Sequence, residues 1–152
     1  MDRILEPKDP DFSARVHASF ARQRVMAALG VTLVQVDPGR VELELAFDPE
    51  LTQQHGFMHA GIIATALDSA CGYAAFSLMP ADAGVLTVEY KINFLAPAAA
   101  DRFTLVGSVV KSGRTLSVCQ GEATGERAQK RVLIATMTST VMAVQGRSDV
   151  QQ

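Results

Sequence analysis

The chain has 152 residues, 48% of them apolar and 20% charged, which is the makeup of one folded domain and excludes disorder over most of its length. Its 14 basic and 16 acidic residues give a net charge of −2, without the basic excess of a nucleic-acid binder. No uninterrupted apolar run reaches the roughly 18 residues of a membrane span.

Residues 1–10, with Pro7 and Pro10, read as a loose lead-in whose acids do not suit a secretory leader. Over residues 11–29 the apolar side chains Phe12, Val16, Phe20, Val25, Met26 and Leu29 recur at helical spacing, which predicts an N-terminal helix capped by Asp11 or Ser13 and stopped by Gly30. Arg15, His17, Arg22 and Arg24 form its solvated face. The period then changes to two. Residues 31–36 and 41–47 read as strands joined by the turn Asp37-Pro38-Gly39-Arg40. The second alternates apolar with acidic residues, so one face is buried and the other wet.

A polar loop over residues 48–60 leads into residues 61–78, which are apolar nearly all round and predict a helix buried inside the protein. Its small residues, among them Ala64, Ala66, Ala70 and Ala74, let a sheet backbone approach closely. Four long strands follow, over residues 84–95, 102–111, 114–124 and 130–144, with turns at Ser112-Gly113 and at residues 125–128. Residues 145–152 form a polar, frayed tail. The plan is α+β, a curved antiparallel sheet wrapped on a long central helix.

Cys71 and Cys119 are too few for a disulfide scaffold or a thiolate zinc site, and Cys71 reads as a packing residue. His55 and His59 are four apart, but Gly56 and the loop setting argue against a metal pair, and no metal is expected. Asp68 is the residue out of place, a carboxylate in the most apolar helix of the chain. Left dry, its pKa rises. It either pairs with a hydroxyl such as Ser69 or Thr65, faces a wet crevice, or does chemistry. Just before it come Gln53, His55, Gly56, His59 and Gly61, and a helix start that offers free backbone N–H groups at Ala60 and Gly61. An amide side chain, a helix N-terminus and a carboxylate two turns in together suit acyl transfer. The histidines could equally brace the loop.

Gln53-Gln54-His55-Gly56-Phe57-Met58-His59-Ala60-Gly61, followed by Leu67-Asp68-Ser69-Ala70, resembles the signature of the hotdog-fold acyl-CoA thioesterases, and most closely the phenylacetate-pathway (PaaI-like) type. The acid falls nine residues after the histidine and the amide six before it. The stretch Thr87–Pro97 and the turn Gly113-Arg114-Thr115-Leu116 also resemble that family, so the likeness covers roughly residues 30–143. It implies a hotdog core over residues 30–144 and hydrolysis of a small or medium acyl- or aryl-CoA thioester. In that reading Asp68 is general base or nucleophile, and the Ala60 N–H polarises the carbonyl. Gly61 allows close approach, Gln53 orients the carbonyl or water, and His59 organises the loop or contacts the thioester. Gly72, Thr65 and Phe94 line the acyl pocket, while Lys91 and Arg114 are candidates for the CoA phosphates.

The resemblance also implies a homodimer or homotetramer with sites between subunits and no cofactor beyond the substrate's coenzyme A, while the composition, the two cysteines and the acidic N-terminus read as cytoplasmic. No nucleic-acid or membrane partner is expected. Two departures stand out. Ala60 replaces the first glycine of the usual His-Gly-Gly, and Gly72 replaces a frequent Ser or Thr one turn after the acid, opening space there. The rival readings are a hotdog dehydratase or hydratase using His59 with Asp68, and a non-catalytic acyl-CoA binder.

Overall fold

A computed structural model of the chain describes residues 5–152. Two short helices, α1 (Phe12–Arg22) and α2 (Arg24–Leu29), precede the hairpin of β1 (Val31–Asp37) and β2 (Arg40–Ala46). The long helix α3 (Ala60–Phe76) follows, and then β3 (Gly84–Phe94), β4 (Arg102–Ser112), β5 (Leu116–Arg127) and β6 (Lys130–Val144). The six strands form one antiparallel sheet in the order β1-β2-β4-β5-β6-β3. It curves around α3, which touches all six strands. This is the α+β hotdog architecture.

Strand β2 shows how the pattern writes the sheet: Val41, Leu43 and Leu45 are buried beneath α3, and the alternating Glu42 and Glu44 are not. Helix α3 is buried along most of its length, Ile63, Leu67, Ala70, Cys71 and Ala74 completely. The sheet meets it with glycines. A Cβ on Gly107 of β4 would stand 2.3–2.4 Å from the Ala70 carbonyl and the Cys71 nitrogen, so strand and helix touch backbone to backbone. Both thiols are packed here, Cys119 donating to the Cys71 carbonyl at 3.5 Å. Burial pushes both upward in pKa, Cys119 to about 12, so they remain neutral packing groups.

The N-terminal helix is two helices rather than one. Gln23 takes an extended conformation (ψ 95°) that ends α1 and redirects the chain, and α2 then drops Met26 into the core before Gly30 stops it in the left-handed region. Asp11 precedes α1 without a side-chain cap. Arg15 is not solvated. Its guanidinium lies 4.3 Å over the Phe76 ring and donates to the carbonyls of Phe76, Met79 and Pro80 at the end of α3, with Asp9 beside it at 3.2 Å. The last carbonyls of a buried helix need donors, and a cation there also suits the helix dipole. Asp9 is buried and Leu5 sits against Gly39, so the lead-in is packed over residues 5–10; Met1–Ile4 lie outside the described residues. The tail folds back as well, Val150 against Gly84 and the Gln152 amide donating to Ser19 Oγ at 3.4 Å.

Strands β3 and β4 run within a residue of the expected bounds. Strand β5 starts two residues later than expected and continues to Arg127, so the turn to β6 is the pair Ala128-Gln129, both at positive φ. No helix among the described residues is long and apolar enough to cross a membrane.

Candidate active site

The loop into α3 is tied down by its backbone. Gln53 N–H donates to the Phe57 carbonyl at 2.9 Å, Gly56 N–H to the Gln53 carbonyl at 3.0 Å, and His59 N–H to the Leu51 carbonyl at 2.9 Å. The turn needs Gly56 at φ +83°. Gln53 Oε1 accepts from the His55 N–H, which leaves its NH2 as the group free to meet a substrate.

His59 is the N-cap of α3, its Nδ1 accepting from the Gly61 N–H at 2.9 Å. That places the ring proton of neutral His59 on Nε2. It also corrects the expectation of two free donors: Gly61 N–H is spent on the histidine, and the Ala60 N–H alone makes no bond among the described residues. Gly61 serves the cap, since a Cβ would stand 3.1 Å from His59 Nδ1. Ala60 lines a cavity of about 440 Å³ with Gln53, Phe57, Phe94 and Pro97.

Asp68 lies elsewhere. Eight residues further along α3, it is about 12 Å along the axis and turned by about 80° from Ala60. Its Oδ1 accepts from Thr87 Oγ1 on β3 at 2.9 Å, not from Ser69, which donates to Gln23 Oε1, nor from Thr65, whose hydroxyl donates to the Gly61 carbonyl at 2.7 Å. Desolvation raises the Asp68 pKa above the ordinary carboxylate value, and the Thr87 hydrogen bond pulls against that shift. Asp68, Gly72, Thr87 and Gln23 share a second cavity of about 80 Å³, and a Cβ on Gly72 would meet nothing within 4 Å.

The expected residues thus fall into two groups on one chain. Gln53, Ala60 and Phe94 share the larger cavity; Asp68 and Gly72 share the smaller. Thr65 lines neither. Lys91, donating to Asn93 Oδ1 at 3.1 Å, and Arg114, in the β4–β5 turn, are exposed and line neither. Thr87 is the residue the sequence reading left without a role, although it opens the Thr87–Pro97 stretch of the resemblance; a strand residue 19 positions after the acid gives no local sign that it meets it. Among the described residues no three His, Cys, Asp or Glu side chains gather as a metal site would require.

The family model described as thioesterase superfamily matches residues 55–132, which take in His59, Ala60 and Asp68 and leave Gln53 just outside. The chain belongs to the thioesterase superfamily. A solved thioesterase family protein from Silicibacter pomeroyi is similar over 89% of this chain and 99% of its own, at 56% identity and TM-score 0.88. Human acyl-coenzyme A thioesterase 13 is 28% identical over 103 residues, 67% of this chain and 73% of the relative. The PaaI protein of Escherichia coli shares the fold at TM-score 0.80 and 21% identity, over 90% of this chain and 95% of that one. As a hotdog thioesterase, the chain is a thioester hydrolase. The superfamily chemistry needs a group to deliver a nucleophile and donors to hold the oxyanion; the smaller cavity holds a carboxylate, and the larger holds the Ala60 N–H and the Gln53 NH2.

Proposed function

We propose that the protein hydrolyses an acyl-CoA thioester to free acid and coenzyme A, in sites that each take their parts from two copies of the chain. The observation that carries this reading is the separation just described. Asp68 with Thr87, and Ala60 with Gln53, open into different cavities of one chain, so neither alone can attack and stabilise the same carbonyl. Strand β3 is the edge where a second copy would join, because it is long, unpaired on one side and carries exposed Leu86, Val88, Tyr90 and Phe94. The printed names of relatives support the acyl-CoA class: human acyl-coenzyme A thioesterase 13 and a medium/long-chain acyl-CoA thioesterase of E. coli.

In this reading Asp68 of one copy activates water or attacks the thioester carbon itself. The Ala60 N–H and Gln53 NH2 of the other copy take the charge that develops on the carbonyl oxygen. His59 fixes that helix start in place. Phe94 and Gly72 bound the acyl end, Thr65 braces the first turns of α3, and Lys91 and Arg114 remain as exposed cations for the CoA phosphates. No cofactor is needed beyond the coenzyme A of the substrate, and the substrate's intracellular origin implies a cytoplasmic setting. The dehydratase reading loses ground because His59 Nδ1 is committed to the helix cap and His59 lines neither cavity.

The test uses two variants and their mixture. Asp68→Asn should abolish thiol release from a panel of acyl-CoAs. Ala60→Pro removes only the free N–H, at the first helical position where proline fits well, and should lower kcat by about 10²- to 10³-fold. When the two are mixed and exchanged, half the dimers are hybrids with one intact site in two, so about a quarter of wild-type activity should return. No recovery on exchange would show that each site lies within one chain. Full activity in Asp68→Asn would remove Asp68 from the chemistry.

A further inference from the structure

Two glutamines from outside the helix-and-sheet core wall the smaller cavity. Gln23, at the break between α1 and α2, reaches α3, where its Oε1 accepts from Ser69 Oγ at 3.1 Å. Residues 145–152 cross the start of β3, where a Cβ on Gly84 would stand 2.7 Å from Val150 Cγ1. That path brings Gln152 into the same cavity, its NH2 donating to Ser19 Oγ at 3.4 Å. Asp68 shares the cavity with both, its Oδ1 engaged by Thr87. The hydroxyls of Ser69 and Tyr73 are engaged by Gln23 and Ser19. Asp68 Oδ2, the Gln23 NH2 and Gln152 Oε1 make no hydrogen bond among the described residues.

We infer that Gln23 and Gln152 hold the attacking water against Asp68 Oδ2. This rests on the acyl-CoA reading above and deepens it, because it makes Asp68 the base and not the nucleophile. The free groups are two acceptors and one donor, the set that fits an attacking water. The water gives one proton to Asp68 Oδ2 and the other to Gln152 Oε1, and accepts from the Gln23 NH2. One lone pair stays open for the thioester carbon, and about three partners is the usual complement of a bound water. Gly72 keeps the space beside the carboxylate clear, since a Cβ there would meet nothing within 4 Å. Every holder of the water belongs to one chain, so the second copy has only to bring the carbonyl, on its Ala60 N–H.

The chemistry then closes. The water oxygen bonds to the carbonyl carbon as one proton passes to Asp68 Oδ2. The C–S bond breaks, that proton goes to the departing thiolate of coenzyme A, and the acid keeps the water's other proton. The partial burial that raises the Asp68 pKa makes it a stronger proton acceptor than a solvated aspartate.

Neither glutamine side chain is what holds its own element. The break between α1 and α2 uses the Gln23 backbone, whose N–H donates to the Phe20 carbonyl and whose carbonyl accepts from the Met26 N–H. The tail is held by Val150 against Gly84 and by Gln145, whose NH2 donates to Asp82 Oδ1 at 2.8 Å.

The experiment is a single turnover in water labelled with heavy oxygen, with enzyme in excess over the best substrate of an acyl-CoA panel. The acid released in that first turnover should carry the label. Unlabelled acid, with the label left on Asp68, overturns the inference and leaves the acyl-CoA reading standing. Gln23→Met and Gln152→Met should each lower kcat by about ten- to a hundredfold while KM and Tm hold, because the water is not part of substrate binding. Gln23→Leu and Gln152→Leu repeat the measurement with a second apolar shape, in case a methionine variant fails to fold. An unchanged kcat in either position, or a loss that appears in KM instead, overturns the inference as well. No thiol release by the wild type from any ester of the panel overturns the acyl-CoA reading itself, and this inference with it.

Discussion

At the scale of single residues, the contact that defines this site is one hydroxyl on one carboxylate. Asp68 sits where partial burial disfavours its charge, and Thr87 Oγ1 donates to Oδ1 and restores part of what burial removes. The sign of its pH dependence follows. Hydrolysis needs the ionised carboxylate as base or nucleophile, so the rate falls as pH drops through the Asp68 pKa, at a higher pH than for a fully solvated aspartate. Thr87→Val removes the donor that favours the charged form, so the acidic limb of kcat/KM should move to still higher pH while the plateau changes much less. An acidic limb that stays where it was would show that Thr87 does not act through Asp68. His59 teaches a related lesson about donors: by capping Gly61 it leaves the Ala60 N–H as the one unspent donor of the helix start, which is why Ala60→Pro is the informative substitution.

At the scale of elements, the fit between α3 and the sheet is set by what is missing from the strands. Gly107 lies so close to the Ala70 carbonyl and the Cys71 nitrogen that a methyl group cannot enter without moving backbone. Gly107→Ala should therefore cost about 3 kcal/mol or more, at the upper end for overpacking, and lower Tm by several degrees in a thermal melt. Gly72→Ala, inside α3 with nothing within 4 Å of the added methyl, is its control and should hold or slightly raise Tm, since alanine favours the helix over glycine. The elements legible from sequence were those whose own pattern carried the information. The alternation of β2, the all-round apolarity of α3 and the stop at Gly30 are local facts. Gln23 was not legible as a break, because glutamine is a good helix former and the turn serves packing against α3. Arg15 read as solvated because nothing local reveals that the end of α3, sixty residues later, lacks donors. In the site, the loop and the acid could be read from spacing and resemblance. Their division between two cavities could not, since it depends on which distant residues close around each, Phe94 and Pro97 at one and Gln23 and Thr87 at the other.

At the scale of the whole molecule, the sheet ends in two edge strands, the seven-residue β1 and the eleven-residue β3, and β3 is the longer and the richer in exposed apolar side chains. Strand β3 exposes Leu86, Val88 and Tyr90 by more than 40% each, and an apolar edge of this length invites another strand. Val88→Lys places a charge in the middle of that edge. It should convert the dimer proposed above to a monomer in analytical ultracentrifugation and abolish thiol release, with far-ultraviolet circular dichroism unchanged. A monomer that keeps full activity would end the two-copy reading. The strand order has a further consequence, for assembly in time rather than in space. Within the chain β3 pairs only with β6, the last strand in the sequence. While a ribosome is still adding residues 130–144, β3 has no ladder to join, its apolar side chains face solvent, and nothing holds Thr87 over Asp68. The carboxylate's hydrogen-bond partner is thus the last to arrive, and a chain stalled before β6 presents a sticky strand in place of half an active site.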